Sequence, residues 1–195
     1  NNIHIIPKIN NIIFILFFIL TTYLFTPIKS LFDCPIYFEN DANLATLYEA
    51  GHYRGKVIFL TFSTGIGGGI VENGEILPES AGFEPGHKFY EYNGTTAEWE
   101  DIASASALER YSHVDQATDL RKKTIMVDIA NRIALGLPDI VNQYHPVTII
   151  IGGPLGKIYK RFYKDLPVLG TRYQRPKRPL ESVIYGCYLF SKNKK

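Results

Sequence analysis

The feature that most limits the fold is an apolar strand that runs directly into a cluster of glycines. Lys56–Ser63 (KVIFLTFS) has the β-branched and aromatic side chains of a buried strand. Residues 64–69 (TGIGGG) follow at once, with four glycines in five positions. Glycine lacks a Cβ and tolerates positive φ, so we expect a glycine-rich turn whose backbone N–H groups and Thr64 hydroxyl can face an anion. A tight glycine hairpin without a ligand is the alternative.

This glycine cluster matches neither of two common phosphate motifs. The pattern GxGxxG counted from Gly65 would require glycine where Ile70 stands, and no GK[ST] follows as in a Walker A loop. A second strand, GIVE, follows instead of a helix. It is joined by Asn73-Gly74 to the apolar segment EILP, and Asn-Gly between apolar segments predicts a β-hairpin.

Strands and helices alternate along the rest of the chain. We predict strands at 35–39 and 147–151, an irregular loop at 79–97, and helices at 41–51, 98–111, 116–144 with a kink near Pro138, 156–165 and 180–190. Asn40 or Asp41 is the expected N-cap of the first helix. The alternation predicts an α/β fold, and the hairpin argues against a purely parallel sheet.

Composition excludes several classes of protein. With 195 residues, 46% apolar and 21% charged, the chain is long and apolar enough for a globular core. The formal net charge is only +2. The basic end, residues 157–195, carries eleven Lys/Arg against two Asp/Glu. Such an end can meet phosphate, nucleic acid or a membrane, but we favour a solvated helix face and expect no nucleic-acid partner.

The cysteines and the N-terminal segment bear on the compartment. Cys34 and Cys187 form no CxxC, which excludes a disulfide scaffold and a multi-Cys zinc ribbon and favours the reducing cytoplasm.

The chain opens on Asn1, which fits a fragment or a processed product. Residues 12–25 are an uncharged run whose helical length, about 21 Å, is short of the roughly 30 Å bilayer core. The run is either a short membrane anchor, which would make the protein membrane-associated, or a segment that matches no fold.

Two further segments carry chemistry. In residues 39–43 (ENDAN), at a strand-to-helix junction, Asp41 is either a helix cap or a general base at the mouth of a strand. In residues 81–87 (AGFEPGH), Pro85 and Gly86 disfavour a helix, so we expect a loop that presents Glu84 and His87. Taken alone, that pair is either structural or part of a ligand site.

In this order the motifs resemble the ROK family of sugar kinases and repressors, which has the actin-like ATPase fold. The matching segments are ENDAN at 39–43, TGIGGGIVENG at 64–74, AGFEPGH at 81–87, WEDIAS at 99–104, and Gly152-Gly153 directly after a strand. The resemblance covers roughly residues 28–195, which would form the C-terminal lobe, and leaves 1–27 as a non-matching segment or anchor. It leaves a homodimer open.

The resemblance implies a role for each site residue. Asp41 would be the catalytic base. The residues implied to hold sugar hydroxyls are Asn40, Glu84, His87 and Glu100. The residues implied to line ATP are Thr64, Gly65 and Gly67 at the phosphates and Gly152 and Gly153 beside the adenosine. The implied reaction is ATP- and Mg²⁺-dependent phosphorylation of a hexose or N-acetylhexosamine.

The sequence departs from the family in two places. Many members follow the loop histidine with a CxCGxxGC zinc motif, but here Glu91, Asn93 and Glu98 stand where cysteines would be. We therefore expect no metal site and no zinc, and a loop held by packing and hydrogen bonds. The family's first phosphate motif does not precede residue 39, so we expect a chain that is weak or inactive alone. The alternatives are a repressor lacking its DNA-binding domain and a membrane-tethered sugar-binding remnant.

Overall fold

The computed structural model describes residues 13–17, 35–112 and 123–193. Within the N-terminal segment it describes one short strand, β1 (Ile13–Phe17), which pairs in parallel with β2 (Ile36–Asn40). The rest of the apolar run at 12–25, and Cys34, lie outside the described residues. Among the described helices, none combines the length and the apolar character that a bilayer crossing demands.

A five-stranded mixed sheet forms the centre of the described chain. Its strands are β3 (Val57–Phe62), β4 (Ile66–Glu72), β5 (Glu75–Ile76), β8 (Thr148–Gly152) and β9 (Arg172–Gln174). They lie in the order β5-β4-β3-β8-β9, with β3, β8 and β9 parallel and β4 and β5 antiparallel. The predicted α/β class with a mixed sheet is confirmed, and the strand order explains why the hairpin does not prevent parallel pairing elsewhere.

Seven helices are described around this sheet. They are α1 (Asp41–Ala50), α2 (Trp99–Ala103), α3 (Ala105–Ser112), α4 (Lys123–Ala134), α5 (Leu137–Tyr144), α6 (Gly153–Ile158) and α7 (Ser182–Lys192). Short 3₁₀ turns occupy Pro78–Ser80, Pro85–His87, Tyr159–Arg161 and Tyr163–Asp165. The predicted kink near Pro138 is confirmed as a break between α4 and α5, with the proline in the first turn of α5.

The side-chain alternation of β3 divides the core into two layers. Ile58, Leu60 and Phe62 face a large cluster that includes Trp99 and residues of α4 and α5. Val57 and Phe59 face a smaller cluster with residues of α1 and α7. All five side chains are buried, so the strand reads as continuously apolar because both faces of the sheet are covered.

The prediction of a glycine-rich turn at 64–69 is wrong for most of its length. Gly67, Gly68 and Gly69 lie inside β4, and none of the four glycines has a positive φ. A Cβ on Gly69 would come within 2.5 Å of Thr46 Oγ1 and 2.9 Å of the Ala42 carbonyl oxygen. The glycine is therefore needed for the close approach of α1 to the sheet rather than for backbone freedom.

The irregular loop predicted at 79–97 is also wrong in part, because its second half is a hairpin. β6 (Phe89–Tyr92) pairs antiparallel with β7 (Thr95–Glu98). The Asn93-Gly94 turn has φ values of 52° and 75°, the left-handed pair that a two-residue hairpin requires. The predicted Asn73-Gly74 hairpin is confirmed, with nearly the same φ values of 52° and 82°.

Two predicted helices are shorter than expected. The helix at 98–111 is broken at Ser104, whose extended backbone separates α2 from α3 and whose Oγ accepts the Ala107 N–H at 3.1 Å. The helix at 156–165 is α6 followed by two 3₁₀ turns. The basic loop before α7 contains β9, which pairs with β8 and was not predicted.

Candidate functional site

A cleft of about 730 Å³ lies where the strand-to-helix junction, the glycine strand and the 84–87 turn meet. Of the ten residues that the sequence assigned to a site, eight line it: Asn40, Asp41, Thr64, Gly65, Gly67, Glu84, His87 and Glu100. They come from four segments that are far apart in the chain. Gly152 and Gly153 do not line the cleft.

The start of α1 shows how the two polar side chains of the junction differ. Asn40 is the N-cap, and its Oδ1 accepts the N–H groups of Ala42 at 2.8 Å and Asn43 at 3.4 Å. Asp41 is the first helical residue, and its Oδ1 accepts the Ala42 N–H at 2.8 Å. Its Oδ2 has no protein partner among the described residues. The cap is thus Asn40, and the Asp41 carboxylate keeps one oxygen for a ligand in the cleft.

The junction is held from behind by buried contacts. The Asn43 Nδ2 donates to Glu39 Oε1 at 2.8 Å, and Thr46 Oγ1 donates to the Ala42 carbonyl at 2.6 Å. Asn43 and Thr46 are both buried against Gly69 of β4. These contacts fix the direction of the first turn of α1, and with it the position of Asp41.

Across the cleft, Glu84 directly precedes the 3₁₀ turn Pro85–His87, and both Glu84 and His87 are exposed. The His87 Nδ1 lies 2.9 Å from Glu98 Oε2 and 3.9 Å from Glu100 Oε1. The hydrogen bond to Glu98 raises the pKa of His87, and the charges of Glu100 and Glu84 act in the same direction. This side of the cleft is therefore a cluster of carboxylates around one imidazole.

The Glu100 carboxylate occupies space that two glycines leave open. Its Oε2 accepts the Ile66 N–H at 3.2 Å. A Cβ on Gly65 would lie 2.5 Å from that oxygen, and one on Gly86 would lie 2.8 Å from it. In this structure Gly65 thus makes room for a carboxylate, in addition to lining the cleft at the position predicted for a phosphate.

The glycines assigned to ATP lie close together although they come from different strands. Gly67 and Gly152 pair with Thr61 from its two sides, because β4 and β8 flank β3. Strands in a sheet are about 4.8 Å apart, so Gly67, Thr61 and Gly152 form one short row. Gly153 follows with φ of 69° and packs against the Phe62 backbone.

Several residues of the cleft were not identified from the sequence. Among them, Thr61, Ser63, Glu39 and Phe83 line it. Thr61 could have been found, because it is a polar side chain near the end of an apolar strand. Phe83 could not, since its position depends on the missing side chain of Gly68, where a Cβ would lie 2.5 Å from the Phe83 ring.

The hairpin between His87 and Glu100 is anchored by its tyrosines. Tyr90 donates to Asp139 at 2.7 Å, and Lys88 also reaches that carboxylate at 2.7 Å. These two contacts hold the pKa of Asp139 below its usual range. Tyr92 donates to Asp128, which also accepts from Arg132 Nε at 2.8 Å. The hydrogen bonds predicted to hold this loop are therefore present in the hairpin.

Residues of the β6–β7 hairpin stand where many family members have the cysteines of a zinc motif. Glu91 and Asn93 are exposed, with Asn93 in the turn. Within the described ranges, one group of three His, Cys, Asp or Glu side chains brings its ligand atoms within 4.8 Å of one another, and it consists of His87, Glu98 and Glu100. Its donors could accept a metal ion, and the absence of zinc stays a prediction.

Comparisons with known proteins agree on one family. The sequence model of the ROK family matches residues 16–174, which begins inside the apolar run. A glucokinase of Thermotoga maritima is 39% identical over 88 residues, which cover 39% of this chain and 28% of that protein. A xylose repressor of Bacillus spizizenii is 26% identical over 149 residues, covering 64% of this chain and 39% of the repressor. The chain thus spans less than half the length of these two relatives.

The structural comparison extends over most of the chain. The crystal structure of a ROK family glucokinase from Streptomyces griseus, in complex with glucose and AMPPNP, has a TM-score of 0.66 with 20% identity. The match covers 83% of this chain and 69% of that one. At this identity the likeness concerns the fold, which is that of the ROK kinases.

Proposed function

This chain belongs to the ROK family, and we propose that it is the sugar-binding part of a sugar kinase in which Asp41 is the catalytic base. Relatives of both kinds, glucokinases and xylose repressors, match the chain. The observation that carries the proposal is that Asn40 and Asp41 make different contacts at the start of α1. Asn40 caps the helix, so the Asp41 carboxylate is left in the cleft with one unused oxygen.

The chemistry requires such a group. A sugar hydroxyl is a poor nucleophile at neutral pH. Asp41 Oδ2 would accept its proton while the hydroxyl oxygen bonds to the γ-phosphorus of ATP and the bond to the ADP oxygen breaks. A carboxylate placed to accept the proton contributes about 10²–10⁴ in rate. A cap residue with both oxygens on backbone N–H groups would be a weaker base.

The other polar side chains supply the sugar contacts. The Asn40 Oδ1 is occupied by the helix N-terminus, which leaves its Nδ2 to donate to a hydroxyl. Glu84, His87 and Glu100 face the same cleft from the other side. A hexose or N-acetylhexosamine presents several hydroxyls that need acceptors and donors at fixed positions, and this set offers both.

The part of the cleft proposed for the phosphates of ATP offers neutral hydrogen-bond donors rather than positively charged side chains. Three residues with hydroxyl side chains line the cleft, Thr61 near the end of β3 and Ser63 and Thr64 just beyond it. No Lys or Arg is found among the described residues that line it. These hydroxyls would hold phosphate oxygens of ATP, and Gly152 and Gly153 would lie towards the adenosine. Bound Mg²⁺ would neutralise the phosphate charge.

Sugar-dependent turnover of ATP distinguishes a kinase from a repressor. A coupled ADP-release assay with glucose, mannose, xylose, N-acetylglucosamine and N-acetylmannosamine should be run on this chain and on the full-length protein that its gene encodes. We expect sugar-dependent ADP release from the full-length protein. Asp41→Asn should lower its kcat by at least about 10² with little change in sugar affinity, because the amide keeps the shape but cannot accept the proton.

The control is Asp101→Asn, which makes the same change at an exposed carboxylate of α2 that does not line the cleft. It should leave turnover unchanged. Sugar binding without ADP release in the full-length protein would favour the repressor class. Turnover within a few-fold of wild type in Asp41→Asn would remove Asp41 from its role.

A further inference from the structure

The contact between His87 and Glu98 fixes which ring nitrogen carries a hydrogen. The His87 Nδ1 lies 2.9 Å from Glu98 Oε2, within hydrogen-bond distance. An ionised carboxylate can only accept, so Nδ1 must donate. His87 also lines the cleft, and the ring nitrogen left for a ligand there is Nε2. When the ring is neutral, Nε2 is then an acceptor.

The hairpin places Glu98 with little freedom. Glu98 pairs with Phe89 at the open end of β6–β7, directly beside the turn that carries His87. The pairing continues one step further, since the Trp99 N–H donates to the Lys88 carbonyl at 2.8 Å. The buried Trp99 side chain donates from Nε1 to the Arg132 carbonyl at 3.0 Å. Glu98 therefore sits on a backbone that is held on both sides.

We propose that Glu98 is a positioning residue that holds the His87 imidazole with its hydrogen on Nδ1 and its Nε2 directed into the cleft. The proposal rests on the sugar-binding role proposed for His87. In that role, Nε2 of the neutral ring would accept a hydrogen bond from a sugar hydroxyl. Glu98 thus does for His87 what a protein carboxylate does for many functional histidines, by setting the tautomer through the other nitrogen.

A metal ion is the competing use of the same atoms. His87, Glu98 and Glu100 could together hold one. However, the ring nitrogen that faces both carboxylates is Nδ1. To bind an ion between them, it would have to release its hydrogen and its bond to Glu98. Glu100 already accepts the Ile66 N–H through Oε2. The contacts present satisfy all three groups, so a hydrogen-bonded cluster explains them without an ion.

The test is ¹⁵N NMR of the histidine side chains in the 195-residue chain without sugar, at a pH where His87 is neutral, with His87→Gln to assign its signals. We expect a protonated Nδ1 and an unprotonated Nε2. Glu98→Gln should lose this preference and give a mixture of tautomers, since a neutral amide is a weaker acceptor. The control is Glu91→Gln, the same change on the same hairpin at an exposed site, which should leave the tautomer as in the wild type.

Sugar titration then separates this proposal from the proposed function. Where the wild type binds a sugar, Glu98→Gln should weaken binding by up to about tenfold, the net value of the hydrogen bond between Nε2 and the sugar hydroxyl. Absence of sugar binding in the wild type counts against the proposed function, and the tautomer result still decides the role of Glu98. An Nε2-protonated His87 in the wild type, or near one equivalent of retained zinc that shifts the His87 signals, would overturn the proposal.

Discussion

The two sides of the cleft are built in different ways. The junction side consists of residues 39–43 with α1, and it is fixed by backbone contacts and close packing against Gly69 of β4. The hairpin side consists of residues 84–100, and it is fixed by hydrogen bonds between partly exposed side chains. The proposed base is on the first side and most of the proposed sugar ligands are on the second.

This difference matches what each side would have to do. A base must stand within a narrow distance of the reacting hydroxyl, and rigid buried packing provides that. Sugar ligands must suit one sugar among many, and exposed side-chain pairs can change without disturbing a core. We therefore expect substitutions on the junction side to affect global stability, and substitutions on the hairpin side to act locally.

The largest effect is expected from Gly69→Ala. The new methyl group would lie within 3 Å of Thr46 Oγ1, Asn43 Oδ1 and the Ala42 carbonyl oxygen. Because two of these atoms are in buried side chains and one is in the backbone, α1 must shift, and we expect a loss of about 3 kcal/mol in the free energy of unfolding. Urea denaturation followed by circular dichroism measures it.

Gly67→Ala is the matched control for that prediction. It lies in the same strand, and the nearest atom to its Cβ would be Thr61 Cγ2 at 3.5 Å, an ordinary contact. We expect a change below about 1 kcal/mol. Equal losses from the two substitutions would show that strand conformation, rather than the approach of α1, explains these glycines.

A second large effect concerns the far end of α1. Glu49 is fully buried, and its carboxylate accepts the N–H groups of Lys177 at 2.8 Å and Arg178 at 3.0 Å and the Ser182 hydroxyl at 2.6 Å. It thus ties the start of α7 to α1. In Glu49→Gln one oxygen becomes an NH₂ group that faces donors, so we expect a loss of about 2 kcal/mol.

The measurement for Glu49→Gln is again the free energy of unfolding. Glu75→Gln, in the exposed part of β5, removes one charge without breaking a buried contact and should change stability by less than about 0.5 kcal/mol. A wild-type value in Glu49→Gln would mean that α7 is held to α1 by packing alone.

The same difference explains how much of each side of the cleft could be predicted from the sequence. The junction side is local, since a buried strand ending in ENDAN and followed by a helix places Asn40 and Asp41 together without further information. Which of the two caps the helix could not be predicted, because both residue types are good caps. The predicted turn at 64–69 is wrong because Gly69 leaves room for α1 and Gly68 leaves room for the Phe83 ring, and both partners are distant in sequence.

The hairpin side depends on pairing that local patterns do not fix. Asn93-Gly94 carries the same turn signal as Asn73-Gly74, but the segments beside it contain Thr and Glu and follow a run rich in Gly and Pro. The role of Glu98 depends on its pairing with Phe89, which brings it beside His87. Sequence spacing alone would not show that a partly exposed glutamate eleven residues away touches the histidine.

A smaller effect is expected from Tyr90→Phe on the hairpin side. The substitution removes the hydrogen bond to Asp139, which keeps its ion pair with Lys88. We expect a loss of about 1 kcal/mol. Amide hydrogen exchange should quicken across residues 89–98 and stay unchanged in α1. Tyr163→Phe, at an exposed ring, is the control. Faster exchange throughout α1 would show that the two sides are not independent.

The smallest effect is the pH dependence of the His87–Glu98 pair. Glu98, Glu100 and Glu84 raise the pKa of His87 above its ordinary value of 6.5. Because the folded-state pKa is the higher one, the stabilisation is fully present below about pH 6.5 and is lost as pH rises through the raised value. Both side chains are partly exposed, so we expect less than about 1 kcal/mol. The difference in unfolding free energy between wild type and Glu98→Gln should therefore shrink from pH 5 to pH 9, while the Gly69→Ala penalty, which involves no titrating group, stays constant. A wild-type to Glu98→Gln difference that does not change with pH would mean that the imidazolium form contributes nothing to the hairpin side.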